Sequence, residues 1–101
     1  MLINAVSTLE IEIAESHENA LKCCVSHYIS GFEKVPGCLA YGLTKSAQHP
    51  QLWLLSGYWD NPETMWAHFG AKELDSMIWM ISKRALGVRF TSYLSQTVGA
   101  A

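Results

Sequence analysis

No stretch of the chain approaches the ~20 uninterrupted apolar residues that a membrane-spanning helix needs. The opening Met1-Leu2-Ile3-Asn4 carries neither a basic region nor a cleavage pattern. A membrane partner and a signal peptide are therefore not expected. Charge is scarce too: 16% of residues are Asp, Glu, Lys or Arg, and the formal net charge is −2. With no basic stripe there is no electrostatic footprint for nucleic acid or an anionic membrane. The three cysteines are an odd number without CxxC or ligand spacing, Cys23 and Cys24 adjacent and Cys38 alone. They read as free thiols of a reducing compartment, so the expected location is the cytoplasm. A glycine-rich phosphate loop, a nucleophile elbow and an HExxH helix are all missing. The four histidines and the acids show no metal-ligand spacing. A flavin or nicotinamide of its own would need a tight glycine turn that this chain lacks. Neither metal nor cofactor is expected.

Apolar content is what the chain has in plenty, half of its 101 residues. A chain of this length is expected to form one domain over residues 1–101, burying roughly two-thirds of its unfolded surface. So much apolar material on so small a body favours an oligomer interface.

Alternation of Leu9, Ile11 and Ile13 with Glu10 and Glu12 predicts a strand over 3–13. The other parity holds Leu2, Asn4, Val6 and Thr8, so Asn4 shares a mostly apolar face. Ser16 is the expected N-cap of a helix with Glu18 in its first turn. Leu21, Cys24, Val25, Tyr28, Ile29 and Phe32 recur at helical steps, and Pro36-Gly37 should stop the helix near Val35. His17 and His27 on this helix read as solvated or capping side chains. Strands over 38–45 and 51–59 flank a polar turn and should pair as a hairpin. Gly57 inside the second marks a bulge, a close backbone approach or space for something bound.

The next helical region starts at Pro62, is broken near Gly70 and resumes with Leu74, Met77, Ile78 and Ile81. Lys83 and Arg84 suit its negative end and Gly87 is expected to close it, before a last strand over 88–94. Residues 96–101 are expected to fray. The order β-α-β-β-α-β predicts a ferredoxin-like α+β protomer, an antiparallel four-stranded sheet with its helices on one face. Leu52 and Leu54 alternate with Trp53 and Leu55, so that strand is apolar on both sides and the open face wants a cover. A second copy packed sheet to sheet would supply it, and a homodimer is expected.

The stretch from Tyr58 to Phe69 carries the functional signal. Asn61 suits an N-cap, Pro62 the first helical position, and Glu63 the positive end of the helix dipole. Trp59 thus closes a strand and His68 sits about two turns into the next helix. Together they would build one wall of a pocket.

The element order, Pro36-Gly37-Cys38-Leu39 opening the second strand, and Trp59 followed nine residues later by His68 resemble the antibiotic-biosynthesis monooxygenase (ABM) domain along nearly the whole chain. The resemblance implies ferredoxin-like protomers joined as a dimeric α+β barrel. It implies oxidation of an aromatic phenol or quinol-like molecule by dioxygen, in an apolar pocket and without a cofactor. His68, Trp59 and Asn4 are then the catalytic candidates. His68 would accept or share the phenolic proton, and Asn4 would hydrogen-bond a developing oxyanion. Trp66 would flank the substrate opposite Trp59, with Tyr41 and Phe69 completing the substrate-binding set. Two departures stand out: Gly57 where the family commonly carries a Glu, and the extra bulk of Trp66.

The family also includes haem-degrading oxygenases, in which reading His68 is an axial ligand and Trp59 shapes the porphyrin. A non-catalytic small-molecule-binding dimer is the further alternative, favoured by Gly57. Purely structural roles compete with each assignment. Trp59 and His68 would be core groups, Tyr28 and Tyr41 core residues with a polar tip, and Trp79, Met77 and Met80 core or dimer packing. Arg89 would be a solvated or cross-strand charge.

Overall fold

The computed structural model describes residues 2–95, so the tail expected to fray at 96–101 lies outside the described residues. The elements run β1 (Ala5–Glu12), α1 (Glu18–Phe32), β2 (Cys38–Lys45), β3 (Leu52–Trp59), α2 (Pro62–Phe69), α3 (Lys72–Ser82) and β4 (Gly87–Leu94). The four strands form one sheet in the order β2-β3-β1-β4, with every neighbouring pair antiparallel. This is the expected ferredoxin-like α+β arrangement.

On β1 the alternation does what it predicts. Ala5, Ser7, Leu9 and Ile11 are buried, and the intervening residues are half-buried or exposed. The regular strand is shorter than 3–13 because pairing thins at both ends. Asn4 N–H still donates to Trp59 O at 2.9 Å and Ile13 N–H to Gln51 O at 2.8 Å. The buried face meets Val25 of α1, Met65 of α2 and Met77 of α3 in a core that also holds Leu55 and Trp59. Burying this face drives the fold, at roughly 1.5–3 kcal/mol for each large side chain.

Several boundaries depart from expectation for local reasons. Ala14, not Ser16, holds the extended backbone of an N-cap, so Ser16 falls inside a 3-10 turn at Glu15–His17. Helix α1 follows from Glu18 without a side-chain cap. It ends at Phe32, and single turns carry the chain through Val35 to Gly37. Gly37 has φ +90, and a Cβ there would stand 2.6 Å from the Thr64 side chain. A glycine is required on both counts, and it lets the start of β2 lie against the first turn of α2. Gly87 opens β4 instead of closing α3, because Leu86 N–H already donates to Glu12 O at 2.7 Å and draws the chain into the sheet.

The start of α2 is as expected, with Asn61 Oδ1 accepting from Thr64 N–H at 2.9 Å and Pro62 at the first helical position. Met77 belongs to the core, whereas Trp79 is 65% exposed with the Lys83 ammonium 5.1 Å from its ring centroid. Arg89 lies opposite Glu10 in register, a cross-strand pair of opposite charge. No helix among the described residues is long and apolar enough to cross a membrane.

Candidate functional site

Strand register brings the first components together. Tyr41 of β2 lies opposite Gly57 of β3, and Gly57 lies opposite Ser7 of β1. The middle position of this row is empty, and the flanking groups lean over it. A Cβ at residue 57 would stand 2.7 Å from Ser7 Oγ, 2.7 Å from the Tyr41 ring and 3.0 Å from Trp59 Nε1. Of the meanings open to Gly57, close approach is the one realised, and it is made by side chains. Trp59, two residues on and so on the same face, is fully buried and donates from Nε1 to Ser7 Oγ at 3.2 Å.

Helix α2 supplies the opposite wall. Met65 and His68 are three residues apart and share the inward face, while Trp66 and Ala67 point out. His68 is 3% exposed. Its ring centroid lies 5.0 Å from that of Trp59 and 4.6 Å from that of Phe32, and its Nε2 is 3.0 Å from Tyr41 Oη. Beyond this cluster a groove of about 420 Å³ opens between α1 and the α2–α3 junction, lined by His27, Tyr28, Gly31, Phe32, Val35, His68, Ala71 and Glu73. A more open depression of about 560 Å³ at Glu12, Glu15 and His49–Leu52 shares no residue with the cluster.

Burial sets the protonation states. It lowers the His68 pKa to about 4, since the cationic ring would lose its water. It pushes the Tyr41 phenol well above its ordinary value, helped by the Cys38 thiol and partly offset by the Ser7 hydroxyl. Near pH 7 the pair is therefore a neutral imidazole and an intact phenol. Burial thus leaves His68 a weaker base than a free imidazole.

Of the residues singled out in the sequence, Trp59, His68 and Tyr41 meet. Phe69 is half-buried beside them, its centroid 6.5 Å from that of His68 and 4.8 Å from that of Phe90. Asn4 is elsewhere: it is exposed, and its Nδ2 donates to Asp60 O at 2.7 Å. Trp66 is 52% exposed and does not line the groove. Parity accounts for both positions. Asn4 lies on the open-face parity of β1, and Trp66 is one residue out of step with Met65. Ser7 and Phe32 are the members that sequence reasoning missed. Ser7 had a legible signal, a polar residue on the same parity as the buried Leu9 and Ile11.

The family model for antibiotic biosynthesis monooxygenases matches residues 5–77, a span that contains every member of the cluster. Among solved structures, a candidate antibiotic biosynthesis monooxygenase from Deinococcus radiodurans superposes with a TM-score of 0.83 at 18% identity, over 96% of this chain and 97% of that one. A conserved protein from Methanosarcina mazei superposes at 0.82 with 12% identity, over 93% and 95% of the two chains. For a candidate antibiotic biosynthesis monooxygenase from Nitrosomonas europaea the values are 0.80, 12%, 97% and 96%. At these identities the likeness is one of fold. No curated protein matches the chain.

Proposed function

The chain belongs to the antibiotic biosynthesis monooxygenase family, and on that footing we propose that it oxidises an aromatic phenol or quinol-like molecule with dioxygen, using no cofactor of its own. The observation that carries this reading is an apolar groove with Phe32 and His68 in its lining, the His68 ring backed by the buried Trp59 and Tyr41. A planar ring suits such a wall, and exclusion of water favours reaction inside it. In the reaction the ionised substrate passes one electron to dioxygen, and the resulting radical pair recombines as a hydroperoxide. Loss of water leaves a quinone. One oxygen atom enters the product, the other departs as water, and all the electrons come from the substrate.

The site fits haem poorly. His68, which would have to hold the iron, already has its Nε2 engaged by Tyr41 at 3.0 Å, and the groove lining carries Glu73 without a lysine or arginine to meet propionates.

Oxygen uptake with a panel of naphthols, hydroquinones and catechols tests the proposal. We expect uptake above the spontaneous rate with at least one compound class and about a hundredfold loss in His68→Ala, the lower end of the usual cost of removing a side chain that takes part in proton transfer. Uptake no faster than the spontaneous reaction throughout, or unchanged in His68→Ala, rejects it.

The proposal includes a cytoplasmic homodimer. Its three cysteines are free thiols, as suits a reducing compartment. Leu52, Leu54 and Tyr58 stand on the sheet face that the helices leave open, and a second copy would bury them. Light scattering at micromolar concentration should return twice the chain mass; a monomer mass rejects the dimer.

A further inference from the structure

We infer that Gly31 sets the width of the groove beside His68, so that a flat, uncharged aromatic ring enters where a larger residue would shut it out. The groove-facing residues of α1 and the turn after it fall on one stripe. His27, Gly31 and Val35 are four residues apart, with Tyr28 and Phe32 alongside. Gly31 is the middle of that stripe, and the far bank carries His68, Ala71 and Glu73. A side chain at residue 31 would project into the space between the two banks.

Glycine is a costly residue here unless that space is wanted. It lies in the last turn of α1, inside the regular helix, where it lowers stability relative to alanine. A left-handed backbone would excuse it, but among the described residues Gly37 is the glycine with positive φ. A close neighbour would excuse it too, but a Cβ at Gly31 would meet nothing within 4 Å. At Gly37 and Gly57 the same atom would collide with side chains at 2.6 Å and 2.7 Å. What is left is the space itself. It belongs to a groove of about 420 Å³, within the roughly 300–1,000 Å³ usual for small-molecule sites.

The lining fixes what fits. Tyr28 and Phe32 stack with their planes 28° apart and centroids at 6.1 Å, and Phe32 meets His68 edge-on at 4.6 Å. Aromatic surface therefore runs along the groove, and beside it Gly31 presents bare helix backbone. A planar ring can lie over that flat place and against these side chains. The lining holds one carboxylate, Glu73, and neither lysine nor arginine, so a ring bearing a carboxylate or phosphate is repelled. Entry of the ring stands on the groove alone, whereas its being a substrate rests on the oxygenase reading.

Amide NMR of the full chain with β-naphthol, hydroquinone and catechol, run beside oxygen uptake, tests this on wild type, Gly31→Ala and Gly31→Leu. At least one of the three compounds should shift the wild-type amides of Phe32, His68 and Ala71. Gly31→Ala should melt about 2–8 °C above wild type and bind nearly as well. Gly31→Leu introduces another good helix former and should melt no lower than wild type. It should bind about tenfold more weakly or worse, and uptake should fall with binding. β-Hydroxynaphthoic acid should bind wild type more weakly than β-naphthol; binding as tight overturns the uncharged class. Wild-type amides that none of the three compounds moves, or a Gly31→Leu variant that binds as wild type does, overturn the inference. A variant that melts well below wild type does so as well, since packing would then require the glycine. Binding lost in Gly31→Leu, with no oxygen uptake by any of the proteins, refutes the oxygenase reading and leaves this one standing. Uptake indifferent to Gly31→Leu does the opposite.

Discussion

Gly57→Ala is expected to destabilise the protein by about 1–3 kcal/mol, the usual cost of forcing one extra carbon into a packed core. The new methyl would meet the Tyr41 ring and Ser7 Oγ at 2.7 Å and Trp59 Nε1 at 3.0 Å. None of these is the loose end of a long side chain. Tyr41 is held at its oxygen by His68 and along its ring by Phe32, whose centroid lies 5.0 Å away. Trp59 is fully buried. Relief therefore requires the Tyr41–His68 and Trp59–Ser7 hydrogen bonds to stretch together. Gly57→Glu should cost several kcal/mol more, since it adds further volume and a carboxylate in a buried place without a cationic partner. For a domain of this size each kcal/mol lowers the melting temperature by about 4–8 °C. Thermal unfolding of both variants checks this. If Gly57→Ala melts with the wild type, the three side chains move aside freely and the row is not the rigid device described.

Acid should weaken the fold through His68 well before its carboxylates are fully protonated. The folded-state pKa of about 4 lies below the ordinary 6.5. Between these values the unfolded chain holds a proton on this ring and the folded one does not. More protons bound in the unfolded state means that stability rises with pH across this window. The contribution is complete above pH 6.5 and is lost as pH falls through about 4. Its slope is about 1.4 kcal/mol per pH unit, so the whole window amounts to roughly 3 kcal/mol. Glu18, whose carboxyl is held below its usual range by the Lys45 ammonium 2.6 Å away, acts in the same direction at lower pH. The difference between wild type and His68→Gln in urea unfolding from pH 7 to pH 4 isolates the histidine. We expect that difference to shrink steadily as pH falls. A pH-independent difference would mean that His68 keeps an ordinary pKa.

These effects share a cause that a linear reading of the chain cannot supply. Local features were legible because their physics is local. Asn61 and Pro62 start a helix by capping it and presetting its dihedrals, and the alternation of Leu9 and Ile11 with Glu10 and Glu12 states a strand and its buried side. The order of those elements then limits the topology to the ferredoxin-like sheet observed. Trp59 and His68 could be paired in advance because one strand and the next helix, joined by two residues, carry them both.

Ser7 and Tyr41 lie outside that reach. They meet only because β1, β3 and β2 align in a register that sets Ser7, Gly57 and Tyr41 in one row. A slip of a single residue would send each to the opposite face. Asn4 looked like a suitable oxyanion donor by type, and strand parity sets it apart from the buried row. The pKa of His68 was equally out of reach, because it depends on how deeply other elements bury the ring. The sequence by itself determined which segments are strands and helices and which side of each is apolar, since propensity, capping and periodicity act within a few residues. Only the tertiary structure decided which polar groups share the buried space around Gly57 and which of them hold a proton there, because register and desolvation come from residues far apart along the chain.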